Sequence, residues 1–271
     1  MKALQRAVAD ACLARDAGAE IARDLGGFLA ARGVSPADVD AIAASPPGLL
    51  VYRSLVRNRL SSVVLQMLPR TRARMNTALA GRFDAELASF VDEVGPRTHY
   101  LRDVPREFFL WAEPRWRSDL CVPGYLCDLA AHELAHFAIA SAEPAVERST
   151  PGESELSLDR GLAFSDSVRA ATYAWRVHEL SLDTENADVP DRRDVSLLGY
   201  RDADHRVRWL ELTALAAAVV ERLLAHETLG TSVAQACAAH GVPPGQVVEP
   251  VARLLADLGG RGVIVGTMPG R

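Results

Sequence analysis

The stretch EPAVERSTPGESELSLDRG, Glu143 to Gly161, divides the sequence, and the two sides of it follow different periods. Pro, Ser, Glu and Gly dominate the stretch, a composition that turns and links but does not build a packed element. Before it, apolar residues recur at helical spacing. After it, β-branched and aromatic residues cluster in short runs that suit strands. A chain of 271 residues is too long for one small core and suits two domains of ordinary size. The expected organisation is a helical domain over 1–142, a linker over 143–158 and a mixed domain over 159–271.

In the first part, Leu4, Val8 and Cys12 recur every four residues. GLLVYRSLVRNRLSSVVLQMLPR follows the turn SPPG; Leu50, Leu55, Leu60, Val64 and Leu68 are expected to line one helical face, and Pro69 to close it. RFDAELASFVDEVG and REFFLWAEPRW read as short helices, and GYLCDLAAHELAHFAIASAE as a long one. In the second part, LAFS and VRAATYAWRV suit strands, and DVSLLGY and HRVRWLEL flank RDAD as a hairpin would. Thr213 is placed to cap the helix ALAAAVVERLLAHE. Two further helices follow, with Gly241 in the turn between them, and RGVIVGT is a closing strand. The expected fold class is α+β: an all-helical N-terminal domain, then a winged-helix-like module of β-hairpin, three helices and closing strand.

Hydrophobic residues make up 49% of the chain, enough for packed cores. A net charge of −5 opposes nucleic-acid binding by the molecule as a whole, though not by a local basic patch. No apolar run reaches the roughly 18 residues that a membrane span needs. The first residues, MKALQRAVADACLARDAG, mix charges into their apolar positions, unlike a signal peptide. Cys121 and Cys127 are six apart, which is not a C-x-x-C site. With Cys12 and Cys237 they are expected to be reduced, buried thiols of a cytoplasmic protein.

His132, Glu133 and His136 spell H-E-x-x-H, the spacing that puts two imidazoles on one helix face to grip zinc while the glutamate activates water. A zinc hydrolase also needs a third ligand. After His136 the chain reads FAIASA, without the glycine and histidine of one protease class. Glu153 and Glu155, the downstream glutamates another class would use, sit in the polar linker. The alternative is structural: His132 and Glu133 partly exposed, His136 packed near the core.

From Gly48 to Phe83 the chain carries Arg53, Arg57, Arg59, Arg70, Arg72, Arg74 and Arg82 and no acid. This is either a surface for phosphate or an acidic partner, or a solvated face whose arginines pair acids of neighbouring helices. In the C-terminal module, GQVVEPVARLLADLGG offers Arg253 against Glu249 and Asp257, a poor surface for a polyanion. An extended peptide suits it better. The strand residues Val207, Arg208, Trp209, Leu210 and Glu211 would pair with it, and Val248, Val251, Ala252 and Leu255 would take its side chains.

GLLVYRSLVRNRL with Leu68-Pro69 resembles the VYR-x-x-V-R-x-x-L … P hallmark of the HvfC-like proteins. PGYLCDLAAHE, Pro123 to Glu133, is similar to their second signature, and the stretch from LLGYRDADHRVRWLELT onward resembles their PqqD-like leader-recognition part. The chain departs from the pattern at Ser54 and Leu55, where paired asparagines are common. On this resemblance Glu133 matches the family's own helix glutamate, and the flanking histidines are not part of its signature. The resemblance implies a non-catalytic partner, in a heterodimer, of a multinuclear non-haem iron-dependent oxidase. Such a partner binds the leader of a ribosomally made precursor peptide and presents its cysteines. It implies no catalytic residue, metal or cofactor in this chain, no nucleic acid and no membrane. Arg53, Arg57 and Arg59 are then expected to dock the oxidase. A DNA-binding transcriptional regulator and a zinc hydrolase using HELAH are the alternatives.

Overall fold

The computed structural model describes residues 2–44, 46–143 and 157–268. Most of the expected linker, with Glu153 and Glu155, lies outside the described residues. The helices are α1 (Lys2–Leu13), α2 (Ala17–Arg23), α3 (Leu25–Ala30), α4 (Pro36–Ala43), α5 (Pro46–Met67), α6 (Pro69–Ala78), α7 (Arg82–Glu93), α8 (Val104–Ser118) and α9 (Leu126–Ala140), followed by α10 (Ala214–Leu224), α11 (Leu229–His240) and α12 (Pro244–Gly260). The strands are β1 (Leu162–Phe164), β2 (Arg169–Tyr173), β3 (Val195–Arg201), β4 (Val207–Leu212) and β5 (Ile264–Thr267). The chain is thus α+β, with a helical N-terminal region and little sheet. By mutual contact it divides into residues 1–130 with 181–187, and residues 131–180 with 188–271, so the division falls inside α9.

The first unit has two packed regions. Ala7, Ala11, Ile21, Phe28, Leu29 and Leu49 form one, where alanines let short helices approach closely. In the other, Phe83 of α7 meets Phe108 and Trp116 of α8 edge-on or tilted, at centroid distances of 5.3 and 6.1 Å. The Trp116 indole N–H donates to the Glu86 carboxylate, which also pairs with Arg82. Leu60 and Val64 of α5, and Leu68 just after it, are buried as expected, but Leu55 is 61% exposed. Steps of five residues drift off a helix face, so Leu55 has rotated outward and Leu49 and Val63 complete the inner face. Pro69 occupies the first turn of α6 instead of merely ending α5, the position where its missing N–H costs nothing.

In the second unit, β2, β3 and β4 form an antiparallel sheet in that order, so the expected hairpin β3–β4 gains β2 as a third strand. Asp202 closes the hairpin turn by accepting from the N–H groups of Asp204 (3.0 Å) and Arg206 (2.8 Å). The closing strand β5 pairs antiparallel with β1, in a separate two-stranded sheet. Thr213 caps α10 through the Ala216 N–H (3.2 Å), Thr228 caps α11, and Gly241 ends α11 at φ +63°.

Alternation along the strands gives the three-stranded sheet two covered faces. Leu198, Tyr200, Leu210 and Leu212 pack with Ala217 and Val220 of α10 and with Leu254 and Leu258 of α12. The other face carries Tyr173, Val195, Leu197, Gly199 and Trp209, and the second half of α9 lies on it. His132 sits against Trp209 (ring centroids 4.5 Å) and Tyr173 (5.6 Å). Arg201 donates to the Ala140 carbonyl at the helix end (3.0 Å). Gly199 makes the closure possible: a Cβ there would lie 2.6 Å from the Trp209 ring and closer still to the end of Ile139.

The expectation of buried thiols holds for Cys12, Cys127 and Cys237, whereas Cys121 is exposed in the turn before α9. Burial pushes the Cys127 thiol up to about 11 and raises that of Cys12. A thiol reagent at pH 8 is therefore expected to modify one cysteine in the native protein, Cys121, and all four after unfolding. Gly199→Ala is expected to cost about 1–3 kcal/mol by overpacking, read from urea unfolding; a neutral result would mean α9 does not close on β3.

Candidate functional site

The strand β4 is an edge of its sheet: β3 pairs on one side, and among the described residues no strand pairs on the other. Its outward N–H and C=O groups form a row that a further strand can join. Val207, Trp209 and Leu210 are half-buried, and Arg208 and Glu211 are exposed. Each charged residue is already engaged. The Arg208 Nε donates to Asp202 (2.6 Å), which raises the guanidinium's pKa and lowers that of the carboxyl. Glu211 accepts from Arg176 (3.0 and 3.2 Å) and Arg193 (3.3 Å), and the Arg176 hydrogen bond holds its carboxyl below the usual range. His178 lies 3.9 Å from Glu211; burial lowers its pKa, so the imidazole is neutral at pH 7. The Trp209 indole nitrogen and the His178 Nδ1 are buried without a hydrogen-bond partner among the described residues.

The expected side-chain groove on α12 is only half present. Val251 and Leu255 are buried, packing with Leu162, Val219 and Leu223. Val248 (62% exposed) and Ala252 remain on the surface. The α12 residue half-buried over the same cluster as Leu210 of β4 is Leu254, which the sequence reading missed. Adjacent Leu254 and Leu255 point to two different clusters, a split that a single-face reading of the helix overlooks. The half-buried apolar residues that β4 and α12 contribute to one cluster are thus Leu210 and Leu254, and any steering by Arg208 or Arg253 competes with Asp202 and Glu249.

The arginine run resolves into separate tasks. Arg53 is half-buried and donates to the carbonyls of Ala11 (2.7 Å), Cys12 (3.0 Å) and Arg15 (3.3 Å), closing the end of α1. Burial lowers its pKa, as expected for a cation satisfied by neutral carbonyls. Arg57 pairs with Asp92, Arg72 with Asp84 through two hydrogen bonds (2.8 and 3.2 Å), and Arg82 with Glu86 and Asp119. Arg70 and Arg74 are buried. Of the three arginines expected to dock a partner, Arg59 alone is exposed on α5, beside Val51, Tyr52 and Leu55 on the same exposed side.

In the H-E-x-x-H stretch the expected burial is reversed. His132 and Glu133 are buried and His136 is exposed. The reason is the sheet: the α9 face bearing His132 and Ile139 is the one that closes on Trp209 and Gly199. Among the described residues no group of three or more His, Cys, Asp or Glu side chains is arranged to hold a metal ion. No helix among them is long and apolar enough to cross a membrane.

The residues from just before β2 nearly to the end of α12 carry a likeness to a known family. Residues 165–259 match the model of the HvfC C-terminal domain. The match supports an HvfC-like family and is consistent with a partner protein; residues 1–164 lie outside it. No curated protein matches the chain. The HvfC-like stretch contains the whole three-stranded sheet, α10, α11 and α12 up to Gly259.

Arg53→Ala is expected to destabilise the protein by about 1–3 kcal/mol, since three carbonyls lose a charged donor. Arg59→Glu is expected to stay within about 0.5 kcal/mol. Chemical denaturation of the two variants checks the contrast. Equal losses would show that Arg59 also serves the fold.

Proposed function

We propose that this chain is a non-catalytic partner protein that holds the leader of a ribosomally made precursor peptide on β4 and presents the cysteine-bearing remainder to a multinuclear non-haem iron oxidase. The observation that carries the reading is the free β4 edge inside the stretch that matches the HvfC C-terminal domain. An unfolded leader gains backbone hydrogen bonds along such an edge without prior structure of its own. Its alternate side chains fall beside Leu210 and Leu254, and tethering raises the local concentration of its cysteines at the oxidase. The oxidase contributes the iron and its ligands. Its docking site on this chain is the exposed side of α5, where Arg59 is exposed beside Tyr52 and Leu55, while Arg53 and Arg57 hold that helix in place. The complex acts in the cytoplasm.

The test uses a short cysteine-bearing precursor peptide, to be sought among the open reading frames that flank this gene. The Asp202 N–H bonds the Arg206 carbonyl, so in this register the N–H groups of residues 207, 209 and 211 point away from β3. Val207→Pro removes one of these outward donors, and Leu254→Asp puts a charge in the apolar cluster that Leu210 shares. Each is expected to weaken precursor binding by about tenfold or more, measured by calorimetry, with oxidase co-purification retained. If the folded Val207→Pro protein binds the precursor as the parent does, β4 is not the leader site.

A further inference from the structure

We propose that the opposite edge of the same sheet, β2, is a second strand-addition site, and that its occupant is an extended peptide segment carrying a lysine or arginine side chain. Among the described residues β2 pairs with β3 alone, so its outer edge is as open as that of β4. Arg169, Ala170 and Thr172 are exposed along it. Against this edge lies an open cavity of about 700 Å³, walled by Asp166, Arg169 and Ala170 on one side and by Glu221, Leu224 and His226 at the end of α10 on the other.

Register says which side chains would enter it. Ala170 pairs with Leu198 and Thr172 with Ser196, so both belong to the sheet face that looks toward α10. A strand laid along β2 sends every second side chain to that same face. One such side chain therefore drops between β2 and the end of α10.

The walls select a cation with an apolar stem. Asp166 and Glu221 are exposed carboxylates with no ion-pair partner among the described residues. The C-terminal end of α10 adds the negative pole of an 11-residue helix. Arg169 forms no ion pair with either, because its guanidinium is folded back onto the carbonyls of Asp166 (2.8 Å) and Val168 (2.7 Å); its one positive charge against two carboxylates leaves the wall net negative. Leu224 and Ala170 offer apolar surface to the methylenes of a lysine or arginine whose charged end reaches the carboxylates. An acidic segment would meet two unpaired carboxylates. The inference does not rest on the leader site at β4.

The experiment titrates the full chain with the capped peptide acetyl-Thr-Val-Thr-Lys-Thr-Val-Thr-amide and follows backbone amides by NMR. Saturable shifts are expected at residues 169–173, with 207–212 unmoved. Replacing the lysine by norleucine, or making Glu221→Gln or Asp166→Asn in the protein, is expected to weaken binding by about threefold or more. N-methylation of one alternate set of peptide amides should abolish binding, and of the other set leave it. The proposal is overturned if norleucine binds as well as lysine, if the two carboxamide variants bind unchanged, or if the shifts fall on β4. It is also overturned if nothing binds at about 1 mM, or if acetyl-lysine amide alone binds as tightly as the peptide, which would make this a small-cation pocket.

Discussion

Gly199 lacks a side chain, and the second half of α9 and the Trp209 ring both occupy the space a side chain would take. Through that contact α9 covers one face of the three-stranded sheet, while α10 and α12 cover the other. A sheet buried on both faces can offer another chain only its edges. The functional question in this unit therefore reduces to what joins β4 and what joins β2. The two edges differ in chemistry. Half-buried Leu210 of β4 shares its cluster with Leu254, with the charges of β4 already paired; beside β2 stand two carboxylates without an ion-pair partner among the described residues.

Much of the second unit was legible because its signals are local. Thr213 and Thr228 cap helices, Gly241 takes the left-handed conformation between α11 and α12, and Asp202 organises the β3–β4 turn, each by bonding within a few residues. The third strand, β2, was legible as a strand but not as a partner of β3, since 21 residues separate Tyr173 from Val195 and nothing local fixes their pairing. The burial of His132 was not legible at all. It depends on Trp209 and Gly199, more than 60 residues downstream, and the helix alone gives His132 and His136 equivalent positions.

The arginines show a similar limit. A run of basic residues without acids reads as a surface seeking an anion, but the acids were supplied from elsewhere: Asp92 and Asp84 on α7 and Asp119 after α8. Arg53 uses no acid and closes three carbonyls at the end of α1. A VYR-type motif on α5 thus divides between roles. Its arginines at positions 53 and 57 hold helices together, and its Val51 and Tyr52 face outward with Leu55 and Arg59.

Hydrogen exchange at β4 tests the central claim most directly. The amides of residues 207–212 would be followed in the full chain, with and without the leader segment of a candidate precursor peptide. The account predicts that alternate β4 amides, those not bonded to β3, exchange rapidly in the free protein and become protected with the leader, while β2 amides are unaffected. Protection that appears elsewhere and leaves β4 unchanged would contradict it.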